Sequence, residues 1–144
     1  GVSKENSIKA LEKFSGVKKR LEKIISNNFI IYDDFAHHPT AISASIKALK
    51  EEYPEKKITA YFEIRSNSMI QGTHKNNFLN SFENADNIFI YCKQDVEWIK
   101  AIPNIDLYTD KDLVINKIKN STENVDIVIL MSNGDNTYII NKLK

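Results

Sequence analysis

Two carboxylates and two imidazoles stand in one short stretch, Asp33-Asp34-Phe35-Ala36-His37-His38-Pro39-Thr40-Ala41. A carboxylate accepts hydrogen bonds from hydroxyls, and an imidazole donates to phosphate oxygens or orients a neighbouring acid. Just before it, Phe29-Ile30-Ile31-Tyr32 is apolar, β-branched and aromatic, and reads as a buried strand. Pro39 suits the first turn of a helix, and Ile42, Ile46 and Leu49 then recur at helical spacing. The titratable groups therefore occupy a strand-to-helix turn, which in an open α/β sheet lies on the ligand-binding edge. Two adjacent histidines project differently and no third ligand is evident, so the pattern points away from a metal centre.

Alternating strands and helices must hold this turn. After a polar lead (Lys4 to Phe14), helical or irregular, Arg20 to Ser26 pairs through an Asn27-Asn28 turn with a strand at Phe29 to Asp33. A helix (Pro39 to Tyr53), a strand (Ile58 to Glu63), a helix (about Thr73 to Glu83) and a strand (Asn87 to Cys92) follow. Next come a helical stretch (Asp95 to Lys100), a short strand (Ile105 to Tyr108) and a helix (Lys111 to Asn120). The last strand (Asp126 to Met131) feeds a closing helix (Thr137 to Leu143). Such spacing requires crossover connections, hence a mainly parallel sheet with helices on both faces: one three-layer, Rossmann-like α/β domain over residues 1–144.

In a parallel sheet the strand ends share one edge. That edge collects Asp33-Asp34, Glu63 with Arg65-Ser66-Asn67, Lys93-Gln94-Asp95, Thr109-Asp110 and Ser132-Asn133-Gly134, where they can converge on a ligand. Polar residues begin most loops, but Arg65-Ser66-Asn67 and Asp33 to His38 exceed what a loop start needs.

Composition narrows the rest. With 42% hydrophobic and 27% charged residues, the 144-residue chain can bury its own core. A formal net charge of +1 gives no footprint for nucleic acid or an anionic membrane. The longest apolar runs, such as Ile127 to Met131, are far too short to span a bilayer. A single cysteine, Cys92, and no charged-then-apolar leader fit a reducing cytoplasm. The start at Gly1 rather than methionine points to a piece of something larger. The only glycines are Gly1, Gly16, Gly72 and Gly134, so neither a Walker phosphate loop nor a dinucleotide fingerprint can be written. A doubly wound domain without its own phosphate cradle binds something else or completes a site begun in another domain.

The Asp33 to Ala41 segment resembles the strand–turn–helix signature of the C-terminal domain of the Mur ligases, the ATP-dependent amide ligases of bacterial cell-wall precursor synthesis. Phe14-Ser15-Gly16-Val17-Lys18-Lys19-Arg20-Leu21-Glu22 resembles the segment that joins that domain to the central ATPase domain. Glu63-Ile64-Arg65-Ser66-Asn67-Ser68-Met69, Gly72-Thr73-His74-Lys75 and Met131-Ser132-Asn133-Gly134 are similar to one branch. That branch joins UDP-N-acetylmuramate to the recycled tripeptide L-alanyl-γ-D-glutamyl-meso-diaminopimelate. Two departures stand out: Ile64 where the branch has proline, and Asp135-Asn136-Thr137 in place of a more glycine-rich continuation.

The resemblance implies a carboxylate phosphorylated by ATP, attack of an amine on the acyl phosphate, and loss of phosphate. It places Arg20, Asp34 and His37 among the catalytic residues, and these three with His38 on ATP: Arg20 toward phosphates, Asp34 toward the ribose hydroxyls. It places Arg65, Ser66, Asn67, Ser132 and Asn133 on the incoming peptide. The resemblance implies that an N-terminal UDP-binding domain and a central ATPase domain lie outside this chain. The phosphate loop and most magnesium ligands belong to the central one, against which this domain packs, so the chain alone should be inactive. His74 and Lys75 stand as surface residues or weak candidates, Cys92 as a small buried residue, and Trp98 as core or interface. Two alternatives stay open: the matching domain of a UDP-N-acetylmuramate–L-alanine ligase, and a non-catalytic or receiver-like α/β binding module.

Overall fold

The computed structural model describes residues 18–123 and 126–144, with residues 3, 4 and 6 ahead of them. Except for residues 4 and 6, the lead from Lys4 to Phe14 lies outside the described part, as does Phe14 to Val17 of the junction segment. Among the described residues six strands form one sheet: β1 (Glu22–Ile25), β2 (Ile30–Asp34), β3 (Ile58–Glu63), β4 (Asn87–Tyr91), β5 (Leu107–Tyr108) and β6 (Ile127–Met131). Their order across the sheet is β1-β2-β6-β3-β4-β5. Only β1, the hairpin partner of β2, runs antiparallel; the other pairings are parallel. The expected α/β layering is present, with helices on both faces.

Strand alternation divides the sheet into two cores. Tyr32, Ala60, Phe62, Ile90, Ile129 and Met131 face the Pro39–Glu52 helix together with Phe78 and Phe82. Ile31, Tyr61, Tyr91, Val128 and Leu130 face the Lys111–Ser121 and Thr137–Leu143 helices. Ile42, Ile46 and Leu49 lie on one stripe of the Pro39–Glu52 helix and are all but fully buried. Each such side chain contributes about 2 kcal/mol of transfer free energy.

The position of β6 decides what meets at the edge. It returns between β2 and β3, pairing Asp34 with Met131 on one side and Phe62 with Met131 on the other. The loop after β6 therefore emerges between the ends of β2 and β3, and Ser132 continues the ladder by donating its N–H to the Asp34 carbonyl (3.1 Å).

One expected element is divided, and one element was not expected. The helix expected at about Thr73 to Glu83 is a helical turn at Lys75–Phe78 followed by a 3-10 turn at Leu79–Phe82. Ahead of it lies an unanticipated short helix, Asn67–Ile70, capped by the Ser66 hydroxyl accepting from Met69 N–H (3.3 Å). Its end is a Schellman closure. Gly72, at φ +78°, donates to Met69 O (3.1 Å), and Thr73 N–H donates to Ser68 O (3.0 Å). The Trp98 indole N–H caps the same end, donating to Met69 O (3.0 Å) and Ile70 O (3.1 Å). Trp98 is thus half-buried against Phe78 and locks this helix in place.

Candidate functional site

Asp33 and Asp34 are neighbours in β2, so their side chains leave opposite faces of the sheet. The strand-end groups accordingly fall into two sets rather than one.

On the face of the Pro39–Glu52 helix, Arg20, Asp34, Phe35, His37, His38 and Ser45 line a cleft of about 500 Å³. The structure thus brings together all four residues expected on the nucleotide side. Asp34 is buried, and its carboxylate is busy: Oδ1 accepts from Ala36 N–H (2.7 Å), and Oδ2 from the Ser45 hydroxyl (2.9 Å) and Leu21 N–H (3.3 Å). A carboxylate has about four acceptor positions, so one is left for a ligand. Arg20 and His38 are exposed, and His37 is half-buried with Nδ1 2.9 Å from the Phe35 carbonyl. Phe35, His37, His38 and His74 form a row of rings with centroids 5.2, 4.8 and 5.1 Å apart. His38 stands between this cleft and a polar groove of about 800 Å³ lined by Ser43, His74, Asn77 and Asn80. Lys75 is exposed.

The turn that carries Arg20 is strained and tied down. Lys19 and Leu21, on either side of it, have φ of 58° and 45°, a region that side chains with a Cβ disfavour. Lys19 O accepts from Phe35 N–H (2.8 Å), and Lys19 Nζ donates to the Gly134 carbonyl.

On the other face, Glu63 is buried beneath Arg65. Its Oε1 lies 3.5 Å from Arg65 Nη1 and 3.8 Å from Lys111 Nζ, while Oε2 accepts from the Ser132 hydroxyl (3.1 Å). Gly134 N–H in turn donates to Ser132 Oγ (2.9 Å). The Arg65 guanidinium lies so close over Gly134 that a Cβ there would come within 2.4 Å of Nη1. Ser132 is fully buried, and Asn133 Oδ1 is a buried acceptor without a donor among the described residues. Ser66 is taken up in capping its helix, whereas Asn67 is exposed. Beside Arg65, a pocket of about 230 Å³ is lined by Glu63, Cys92, Lys93 and Gln94. Cys92 is buried and unpaired, as a small core residue would be.

The two departures from the family pattern have local explanations. Ile64 N–H donates to Tyr91 O (2.8 Å), a ladder bond that proline cannot make. In place of glycines, Asp135 accepts from Thr137 N–H (2.9 Å) and Oγ1 (2.6 Å), which holds its carboxyl below the usual carboxylate range. Asn136, buried, donates to Asp33 Oδ1 (2.8 Å). Burial nevertheless pushes the Asp33 carboxyl above its ordinary value, against the opposing effects of Asn136 and Lys19.

Sequence reasoning missed Lys19, Ser45, Lys111 and Asn136. Lys111 had a signal: it directly follows Thr109-Asp110 on the edge already singled out. Among the described residues, no three His, Cys, Asp or Glu side chains converge as a metal site, and no helix is long and apolar enough to cross a membrane.

Residues 19–134 match the family model described as Mur ligase, glutamate ligase domain. Over its whole length the chain is 34% identical to the UDP-N-acetylmuramate–L-alanyl-γ-D-glutamyl-meso-2,6-diaminoheptandioate ligase of Haemophilus influenzae, covering 34% of that protein. It is 32% identical, again over the whole chain and 34% of the relative, to the UDP-N-acetylmuramate–L-alanine ligase of Christiangramia forsetii. The crystal structure of a murein peptide ligase from Psychrobacter arcticus superposes with a TM-score of 0.77 at 31% identity, over 99% of this chain and 32% of that one. The chain spans about a third of the length of the curated relatives it matches.

Proposed function

The chain belongs to the Mur ligase family, and we propose that it is the C-terminal domain of an ATP-dependent ligase joining UDP-N-acetylmuramate to the recycled cell-wall tripeptide L-alanyl-γ-D-glutamyl-meso-diaminopimelate. ATP supplies the phosphoryl group that activates the muramoyl carboxylate. This domain's part is to close over the nucleotide with one face of its sheet edge and to offer the peptide's amine from the other.

The residues fit those two tasks unequally. Arg20, exposed on a strained, pinned turn, serves the phosphates, since a guanidinium forks onto phosphate oxygens at little cost in ordering. His37 and His38 line the same cleft and donate to the nucleotide. Asp34 retains one acceptor position for a ribose hydroxyl and spends the rest on holding the turn. Magnesium ligands are assigned outside this chain, to the central domain, as is the phosphate loop. The full enzyme would work in the cytoplasm, where its nucleotide substrates are.

On the peptide side, Arg65 pairs with a substrate carboxylate and Asn133, in the loop after β6, contributes to the same pocket. Asn67 is free to contact the peptide, and Ser66 and Ser132 shape the site by fixing a helix start and Glu63. The observation that carries the tripeptide reading is the Arg65 guanidinium laid over Gly134 between the ends of β3 and β6. On this reading the guanidinium is a bidentate carboxylate binder at the point where the amine substrate enters.

The test is phosphate release by the full-length enzyme with ATP, magnesium and UDP-N-acetylmuramate, the amine being either tripeptide or L-alanine. A higher kcat/KM for tripeptide is expected. Preference for L-alanine would assign the chain to the other branch, and turnover with neither would favour a non-catalytic module.

A further inference from the structure

The peptide side of the sheet edge holds one more cation than the site described so far employs. Lys111 is the first residue of the Lys111–Ser121 helix, set there by the Asp110 carboxylate accepting from Asp112 N–H (2.9 Å) and Leu113 N–H (3.4 Å). From this start its side chain passes over the Tyr91 ring, with Nζ 4.9 Å from the centroid, and ends 3.8 Å from Glu63 Oε1. The register explains the path: Tyr91 pairs with Glu63 on one side and with Tyr108 on the other. The ring is thus the step between the strand that Lys111 follows and the acid it reaches.

Arg65 approaches the same oxygen, Oε1, to 3.5 Å. Two cations share one oxygen of a buried carboxylate, whose other oxygen is occupied by Ser132. Among the described residues neither Arg65 nor Lys111 has a second carboxylate within 4.0 Å, so at this point two cations face a single acid. Arg65 and Lys111 are 45% and 24% exposed, against 2% for Glu63, so their remaining donors face outward from the sheet edge. An acid beneath two cations keeps like charges side by side that would otherwise repel.

We propose that Lys111 and Arg65 form a carboxylate subsite seated on Glu63, holding one carboxylate of the acidic peptide substrate between them, with Glu63 as its positioning residue. The subsite rests on the reading of this edge as the amine-substrate side. One carboxylate neutralises the surplus charge, and the two cations select substrates that carry an acid at that distance from the reacting amine.

The test uses full-length enzyme with Lys111→Met, Lys111→Gln and Lys111→Arg, varying peptide and ATP in turn. It also uses peptides whose carboxylates are replaced by carboxamide one at a time. Lys111→Met should raise the peptide KM about tenfold, with the ATP KM within about twofold and most of the loss recovered by Lys111→Arg. One carboxamide peptide should lose a similar factor on wild type and nothing further on Lys111→Met. If the Met variant does not fold, the Gln variant carries the same comparison. An unchanged peptide KM, or ATP and peptide KM rising in step as a purely structural partner of Glu63 would give, overturns the subsite. If wild type takes no acidic peptide, the proposed function fails separately. Lys111→Met then either weakens the amine substrate that is used, which supports the subsite, or leaves it alone, which refutes it.

Discussion

Gly134 shows how one missing atom can organise a site. A Cβ there would meet Arg65 Nη1 at 2.4 Å, Cζ at 2.7 Å and Nε at 2.9 Å. These atoms are the far end of a flexible, exposed side chain, so the fold can yield where the site cannot. Gly134→Ala should change unfolding free energy by less than about 1 kcal/mol, yet raise the amine-substrate KM several-fold by displacing the guanidinium. Urea melts beside full-length kinetics check it, and a large stability loss with unchanged KM would show that Arg65 is not the element displaced. Asp34 is the opposite case, a residue whose chemistry is mostly directed inward. Asp34→Ala leaves the Leu21 and Ala36 N–H groups and the Ser45 hydroxyl without their acceptor. The expected cost is about 3 kcal/mol of stability, with a rise in ATP KM, whereas Asp34→Asn should cost less. Wild-type stability in the Ala variant, with only the ATP KM changed, would mean that the carboxylate serves the nucleotide alone.

At the scale of elements, long periodic segments were legible and short ones were not. Ile58–Glu63, Thr137–Leu143 and the Pro39 helix start emerge from apolar runs, helical spacing and proline placement with almost no boundary error. The segment from Ser66 to Phe82 was read as one helix too few. Its Asn76, Asn77 and Asn80 are poor helix formers, and its turns are held by Phe78 and Phe82 packing on Phe62 rather than by propensity. The missed Asn67–Ile70 helix did announce itself, through Ser66 as a cap and Gly72 as a stop. For the site, the residues that gather in the Arg20–Asp34–His37–His38 cleft could be named, but the division of the strand-end groups between two faces could not, because it depends on β2 remaining extended through both aspartates. That division puts Asp33 in a dry environment, with a testable consequence. Its folded-state pKa is raised by burial, so the native chain holds this proton more tightly than the unfolded chain. The group's contribution to stability is therefore fully present at low pH and is lost as pH rises from the ordinary aspartate value through the raised folded one. Asp33→Asn keeps an oxygen for the Asn136 amide and removes that loss. Relative to wild type, the variant should gain stability as pH rises above the ordinary aspartate value of about 4, as read from urea midpoints. A constant difference as pH rises would show that Asn136 and Lys19 fully offset the burial.

For the whole molecule, folding and chemistry make separate demands. Two apolar cores cover both faces of the sheet, and the Pro39–Glu52, Lys111–Ser121 and Thr137–Leu143 helices close them. A chain packed in this way should unfold as one cooperative unit when expressed by itself. Catalysis asks for more than these residues hold. Phosphoryl transfer needs a backbone cradle for the phosphates, and four isolated glycines cannot build one. The cleft holding Arg20 is open, and Arg20 itself is exposed, so on the proposed reading the guanidinium would meet phosphate only once another surface brings the nucleotide to it. The expected outcome for residues 1–144 alone, given ATP, magnesium, UDP-N-acetylmuramate and tripeptide, is a single melting transition and no phosphate release above a blank. On the proposed reading, adding the N-terminal UDP-binding and central ATPase domains should restore turnover, and Arg20→Ala in this chain should abolish most of that gain while leaving the melt unchanged. Steady ATP turnover by the chain alone would mean that a complete phosphate site exists within it, and the proposal of a site shared between domains would have to be given up.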